Sequence, residues 1–159
     1  MKSSVPLTQK EALIKLQKYC AYQERCHKEV RSKLLEYKIY GEELENIITD
    51  LIQENFLNEE RFARTYARGK FRFKKWGKRK IIGELKRRSI SEYCIKKGMT
   101  EIEDEEYNTV LYAVVEKKLG NTKSKNKYDL KQKVVNYCIQ RGFEAHLIWP
   151  AVNELLPIP

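Results

Sequence analysis

Arg64, Arg68, Arg72 and Lys75 follow one another at intervals of 4, 4 and 3 residues, with Arg61 three residues ahead of them. On a helix that spacing brings the cationic ends into one stripe. Past Trp76-Gly77 a second basic set follows: Lys78, Arg79, Lys80, Lys86, Arg87 and Arg88. Residues 61–98 hold 15 Lys or Arg against two Glu. Crowded without ion-pair partners, such side chains repel one another, and an anion lying against them relieves the cost. The pattern therefore predicts a surface that tracks phosphates or docks on an acidic patch. Its contacts are assigned to Arg64, Arg68, Arg72, Lys75, Lys78, Arg79, Arg87 and Arg88.

The residues that would make or break covalent bonds are missing. The two histidines, His27 and His146, pair with no nucleophile and no metal-ligand set. There is no phosphate-cradling G-x-x-x-x-G-K-[ST] loop and no G-x-S-x-G elbow. Cys20, Cys26, Cys94 and Cys138 form no CxxC pair, which reads as a reduced, cytosolic thiol set. The acidic clusters fall in helix first turns or linkers, where dipole matching and solvation account for them. No enzymatic activity, metal or cofactor is expected.

Charge is segregated along the chain. The formal net charge over 159 residues is +10, from 32 Lys or Arg and 22 Asp or Glu. Residues 42–60 carry seven carboxylates and no base, and residues 101–106 carry five carboxylates. The positive field is thus expected to belong to the middle of the chain alone. Phe62, Tyr66, Gly69 and Phe73 form a second stripe beside the basic one, and this face is expected to pack. Phe62 and Tyr66, with Ile81 and Leu85 of the next helix, are expected to hold the two basic helices together. Phe71, Phe73 and Trp76 interleave with the bases and offer themselves as stacking platforms for unpaired nucleobases.

These residues need helices to position them, and the sequence is helical almost throughout. Thr8 with Glu11 reads as a capping box. Asn58 reads as an N-cap, with Glu59 and Glu60 in the first turn. Helices are expected over 27–37 and 42–54. No stretch alternates as a half-buried strand would, so the fold class is all-α. Only 4 Pro and 7 Gly argue against disorder or a loop-rich sandwich. Pro150 is expected to start or kink the last helix, and residues 121–127 read as a linker. The longest apolar runs, such as Leu147 to Val152, are far below the roughly 20 residues of a membrane span. The first residues show no apolar core of a secretion signal.

The helices repeat. Val30, Leu34 and Ile39 have offsets of 4 and 9, as do Ile81, Leu85 and Ile90, and Val134, Cys138 and Phe143. Each third member follows a turn, at Tyr37-Lys38, Arg88-Ser89 and Arg141-Gly142. Three tandem three-helix units follow, at 8–57, 58–100 and 103–156. A unit of that size has a thin core, so the units are expected to stack into an elongated, curved body whose concave side binds a partner.

The stretch from Leu57 to Ile90 resembles the signature of the RecX family, bacterial regulators of the RecA recombinase. The matching positions are Leu57, Phe62-Ala63, Tyr66, Arg72, Gly77, Ile81, Glu84-Leu85 and Ile90, with His27, Glu29-Val30 and Lys33-Leu34 upstream. The family usually has Asp at Asn58 and Gly at Lys38, Asn55 and Ser89. Lys and Ser accept the left-handed conformation poorly, so the turns at 38 and 89 are expected to be built differently. The resemblance implies a cytoplasmic protein that binds the RecA–DNA filament along its groove, and with no dimerisation helix in the sequence a monomer is expected. It would contact single- and double-stranded DNA with little sequence preference and touch no membrane. It would restrain RecA ATP hydrolysis, strand exchange and the SOS response. Two rival readings stay open: a sequence-specific helix-turn-helix DNA binder, and an adaptor without DNA affinity.

Overall fold

The computed structural model describes residues 7–157, so the reading of the first six residues falls outside the described part. The described residues form nine helices and no strand: α1 (Gln9–Tyr22), α2 (His27–Glu36), α3 (Gly41–Gln53), α4 (Glu59–Lys74), α5 (Lys78–Arg87), α6 (Glu92–Met99), α7 (Asp104–Asn121), α8 (Lys127–Gln140) and α9 (Ala145–Leu155). The caps are local. Thr8 accepts from the Glu11 amide, Asn58 from Arg61, Ser91 from Cys94 and Asn126 from Asp129. Each satisfies one of the amides that a helix start leaves without a partner.

The helices pack in triplets, α1–α3, α4–α6 and α7–α9. The repeated offsets have a hydrogen-bond basis. The middle helix of each triplet ends in a Schellman motif. Ile39, Ile90 and Phe143 donate their amides to the carbonyls of Leu34, Leu85 and Cys138, at 3.0, 3.1 and 3.1 Å. The residues just before them, Lys38, Ser89 and Gly142, have φ of 61°, 59° and 99°. They donate to Leu35, Lys86 and Ile139 at 2.9 Å each. The apolar residue of offset 9 is then driven into the core, where all nine offset residues are buried.

The turns at Lys38 and Ser89 are therefore built like the glycine turn, not differently. The paired hydrogen bonds and the buried Ile39 and Ile90 outweigh the ~1–2 kcal/mol that an L-residue loses in the left-handed region. Pro150 lies inside α9, as expected, and of the two roles allowed for it that of starting the helix is excluded, since α9 begins five residues earlier at Ala145.

The core divides unevenly. One cluster, from Ala12 to Leu57, belongs to the first triplet. The second runs without a break through the other two triplets, and Cys26 of the first triplet joins it. Tyr107 of α7 lies between Phe71 and Phe143, with ring centroids at 5.8 and 5.3 Å.

Backbone seals the same junction. The amides of Gly77 and Arg79, at the start of α5, donate to the carbonyls of Arg141 and Gly142 after α8, at 2.8 and 3.0 Å. The Lys78 amide donates to the Tyr107 hydroxyl at 2.9 Å, and that hydroxyl donates to Glu144. The start of α5 is thus capped by the neighbouring triplet. The Arg141 guanidinium, in turn, caps the end of α4 by donating to the carbonyls of Lys74 and Lys75.

Candidate nucleic-acid interface

The basic side chains expected to face a partner are carried by α4, α5 and the corner between them. The packing face of α4 is made by Phe62, Ala63, Ala67 and Phe71. Phe73, expected on that face, is instead 84% exposed. Its backbone direction is set by α6, whose Gly98 comes so close that a Cβ there would lie 2.9 Å from the Ala63 carbonyl oxygen. Small Ala63 and Ala67 allow this approach; a face led by Tyr66 and Phe73 would prevent it. Phe71 is consequently core, and Trp76 is half-buried beneath Lys70 and Lys80, at 5.0 and 4.5 Å from its ring. Of the three aromatic residues suggested as stacking platforms, Phe73 alone is open.

Phe62, Ile81 and Leu85 are buried as expected, and Tyr66 is half-buried against Phe62, with centroids 5.7 Å apart. Arg88 lies over the outer face of Tyr66 at 4.8 Å.

The stripe itself is not free of ion pairs, and that expectation is corrected. The acidic segment between α6 and α7 runs alongside it. Glu101 bridges Arg64 at 3.1 Å and Arg68 at 3.4 Å, and Glu106 reaches Arg72 at 3.8 Å. Asp104 reaches Lys78 at 3.5 Å, and Glu60 also pairs with Arg64 at 3.2 Å. The hydrogen bond from Arg64, followed by that from Arg68, holds the Glu101 carboxyl below its ordinary 4.5. Arg87 and Arg88 share Glu84, at 3.6 and 3.2 Å. Arg61 leaves the stripe altogether. It pairs with Glu24 at 2.6 Å and donates to the carbonyls of Asn55 and Phe56, tying α4 to the first triplet. Net charge over 61–98 concealed most of this, because Glu60, Glu101, Asp104 and Glu106 lie just outside that window and Glu24 lies in the first triplet; Glu84 alone lies within it.

Uncompensated cations gather at the corner, while Lys86, Lys96 and Lys97 at the far ends of α5 and α6 also have no carboxylate in the described residues. Among the described residues, Lys70, Lys74, Lys75, Arg79 and Lys80 have no carboxylate partner. Lys75 sits in the left-handed region with φ 57° and turns its ammonium onto the Arg72 carbonyl, at 2.8 Å. Of the eight residues assigned to the contact surface, Lys75 and Arg79 are thus without carboxylate, and the other six are paired. Exposed pairs of this kind are worth only ~0–1 kcal/mol. They orient the guanidinium groups without removing them from exchange with another anion. Arg87, 80% exposed, is the most open of them.

The field is also not confined to the middle triplet. Lys75 shares a groove with Lys117, Lys118 and Arg141 of the third, lined further by Val114, Asn121 and Tyr137. Seven lysines and one aspartate lie between residues 117 and 133. Their charge was hidden because the acidic start of α7 cancels it in any sum over the whole unit.

Three-helix units in tandem, the second and third sharing one core, with a cation-rich corner define a class of helical-repeat proteins. Among the described residues no three His, Cys, Asp or Glu side chains could jointly hold a metal ion. No described helix is long and apolar enough to cross a membrane.

The chain belongs to the RecX family of regulatory proteins, a non-enzymatic family. Residues 58–99 match the family's second three-helix domain and residues 104–152 its third. Together these matches span more than half of the chain. The regulatory protein RecX of Enterococcus faecalis is 31% identical over 137 residues, covering 86% of this chain and 52% of that protein. The regulatory protein RecX of Clostridium perfringens is 30% identical over 122 residues, covering 76% and 57%. The chain thus spans about half the length of the curated relatives it matches. In fold it is similar to the crystal structure of RecX from Lactobacillus salivarius, with a TM-score of 0.83 at 21% identity over 94% of this chain and 97% of that one.

Proposed function

We propose that the chain is a regulator of the RecA recombinase that lies on the RecA–DNA filament in the cytoplasm and restrains RecA. The effect would fall on ATP hydrolysis and strand exchange, and through them on recombinational repair and the SOS response. The observation that carries this reading is the set of uncompensated cations between Lys70 and Lys80, within the second RecX domain. A filament groove offers DNA phosphates and acidic protein side by side. Lys75 and Arg79 meet phosphate directly. Arg64, Arg68, Arg72, Lys78, Arg87 and Arg88 join them by exchanging intramolecular carboxylates for the ligand's anions. Such exchange is nearly neutral in energy, because exposed pairs hold so little.

The decisive measurement is RecA-dependent ATP hydrolysis on single-stranded DNA, with and without the protein. A lowered rate that saturates with protein supports the reading; an unchanged rate defeats it. A salt titration of DNA binding separates the rivals. A steep slope with little sequence preference belongs to the filament binder. Strong discrimination among duplexes belongs to a helix-turn-helix reader. Absence of DNA binding belongs to an adaptor.

A further inference from the structure

Lys75, Lys117, Lys118 and Arg141 line one groove of about 160 Å³ at the seam between the second and third triplets, and no carboxylate lines it. This contrasts with the α4 stripe, where Glu101, Asp104 and Glu106 answer the arginines and Lys78. The groove is also held rigidly. The Arg141 guanidinium is fixed by the carbonyls of Lys74 and Lys75, and the seam is closed by the Gly77–Arg141 and Arg79–Gly142 backbone bonds. Lys118 and Arg141 stand over the Tyr137 ring, at 4.3 and 5.6 Å from its centroid. The ring supports the two cations. Like charges gathered on a preformed seam leave a site that is complete only with an anion.

Resting on the filament-binding reading above, we infer that this groove is a phosphodiester subsite that holds the backbone of single-stranded nucleic acid. Lys75, which lines the groove, belongs to the corner that also carries Lys74, Arg79 and Lys80, none of them with a carboxylate partner in the described residues. One carboxylate would answer one of these charges. A polymer with an anion on every unit answers them in succession. Cations that contact phosphates read backbone and not bases, so the groove's contribution is independent of sequence.

The test is binding of a fluorescently labelled oligothymidylate at several salt concentrations by the intact chain and by the double variant Lys117→Gln/Lys118→Gln. RecA ATPase inhibition is measured in parallel, with circular dichroism and thermal melting as fold controls. Both lysines lie outside the core, so the variant is expected to melt like the wild type. Loss of two phosphate contacts should weaken binding severalfold and flatten the log–log salt slope by about 1.4. Unchanged affinity and slope in the variant, with the wild type binding the strand, overturns the subsite and leaves the filament reading intact. Weakened RecA inhibition with unchanged oligothymidylate binding assigns the groove to acidic protein and overturns it as well. A wild type that binds no DNA at any salt overturns the subsite, and if RecA ATP hydrolysis is also unchanged the filament reading fails with it. If the double variant melts early, the single variants Lys117→Gln and Lys118→Gln carry the same comparison.

Discussion

Gly77 and Gly142 meet backbone to backbone, and a Cβ on either would lie closer than 3.0 Å to main-chain atoms of the other. Their flanking amides and carbonyls are the bonds that join α5 to the turn after α8. The glycine at 77 is thus required by the neighbouring domain and not by its own turn, since its φ is an ordinary −75°. Gly77→Ala should destabilise the protein by about 3 kcal/mol or more, because main chain cannot move aside as a side chain can. Gly142→Ala should cost a further ~1–2 kcal/mol for its left-handed φ. Chemical denaturation of both variants measures this. Unfolding of the first triplet, which has its own core, should be affected least.

The left-handed residues at Lys38 and Ser89 give a prediction of the opposite sign. Removing the Cβ recovers ~1–2 kcal/mol of backbone strain, while glycine loses ~0.4–1 kcal/mol more chain entropy on folding. Lys38→Gly and Ser89→Gly should therefore each stabilise by about 0.5–1 kcal/mol. Asn55→Gly should gain less, since Asn tolerates the conformation. Midpoints of urea unfolding at unchanged slope would show it.

Glu101 couples stability to pH. Its folded carboxyl is held below the ordinary 4.5 by hydrogen bonds from Arg64 and then Arg68. Its contribution is therefore complete above that value and fades as pH falls through the lower folded value. Glu101→Gln should lower the melting temperature at neutral pH and flatten the curve below about pH 4.5, where the wild type loses its advantage. The same pairs complicate charge reversal. Changing Arg68, Arg72 and Lys75 together to Glu sets two of the new carboxylates against Glu101 and Glu106. Loss of RecA inhibition in that triple variant would then mix contact with fold, so neutral Gln replacements are the better probe.

All four cysteines are free and buried. Burial pushes the Cys20 and Cys138 thiols up to about 11, and raises Cys26 as well. At about pH 8 almost none of Cys20 or Cys138 is the reactive thiolate. The folded protein should resist a disulfide titrant at that pH and show four reactive thiols once denatured. Rapid labelling of the native state would contradict the described packing.

The sequence alone determined what is local or periodic. The capping residues Thr8 and Asn58 fix helix starts through their own next turn. The 4-and-9 offsets fix the middle helix of each unit, because one helix face and one Schellman turn repeat the same contacts three times. The family signature from Leu57 to Ile90 was legible for the same reason. Tertiary structure decided what depends on a distant surface. Whether Phe71 or Phe73 entered the core depended on Gly98, which lets α6 approach Ala63 closely enough to select the face with small residues. Which cations were compensated depended on the fold of the 101–106 segment back along α4. Charge acts through distance in space, so no sum along the chain could place Glu101 between Arg64 and Arg68, or Lys75 beside Lys117, Lys118 and Arg141.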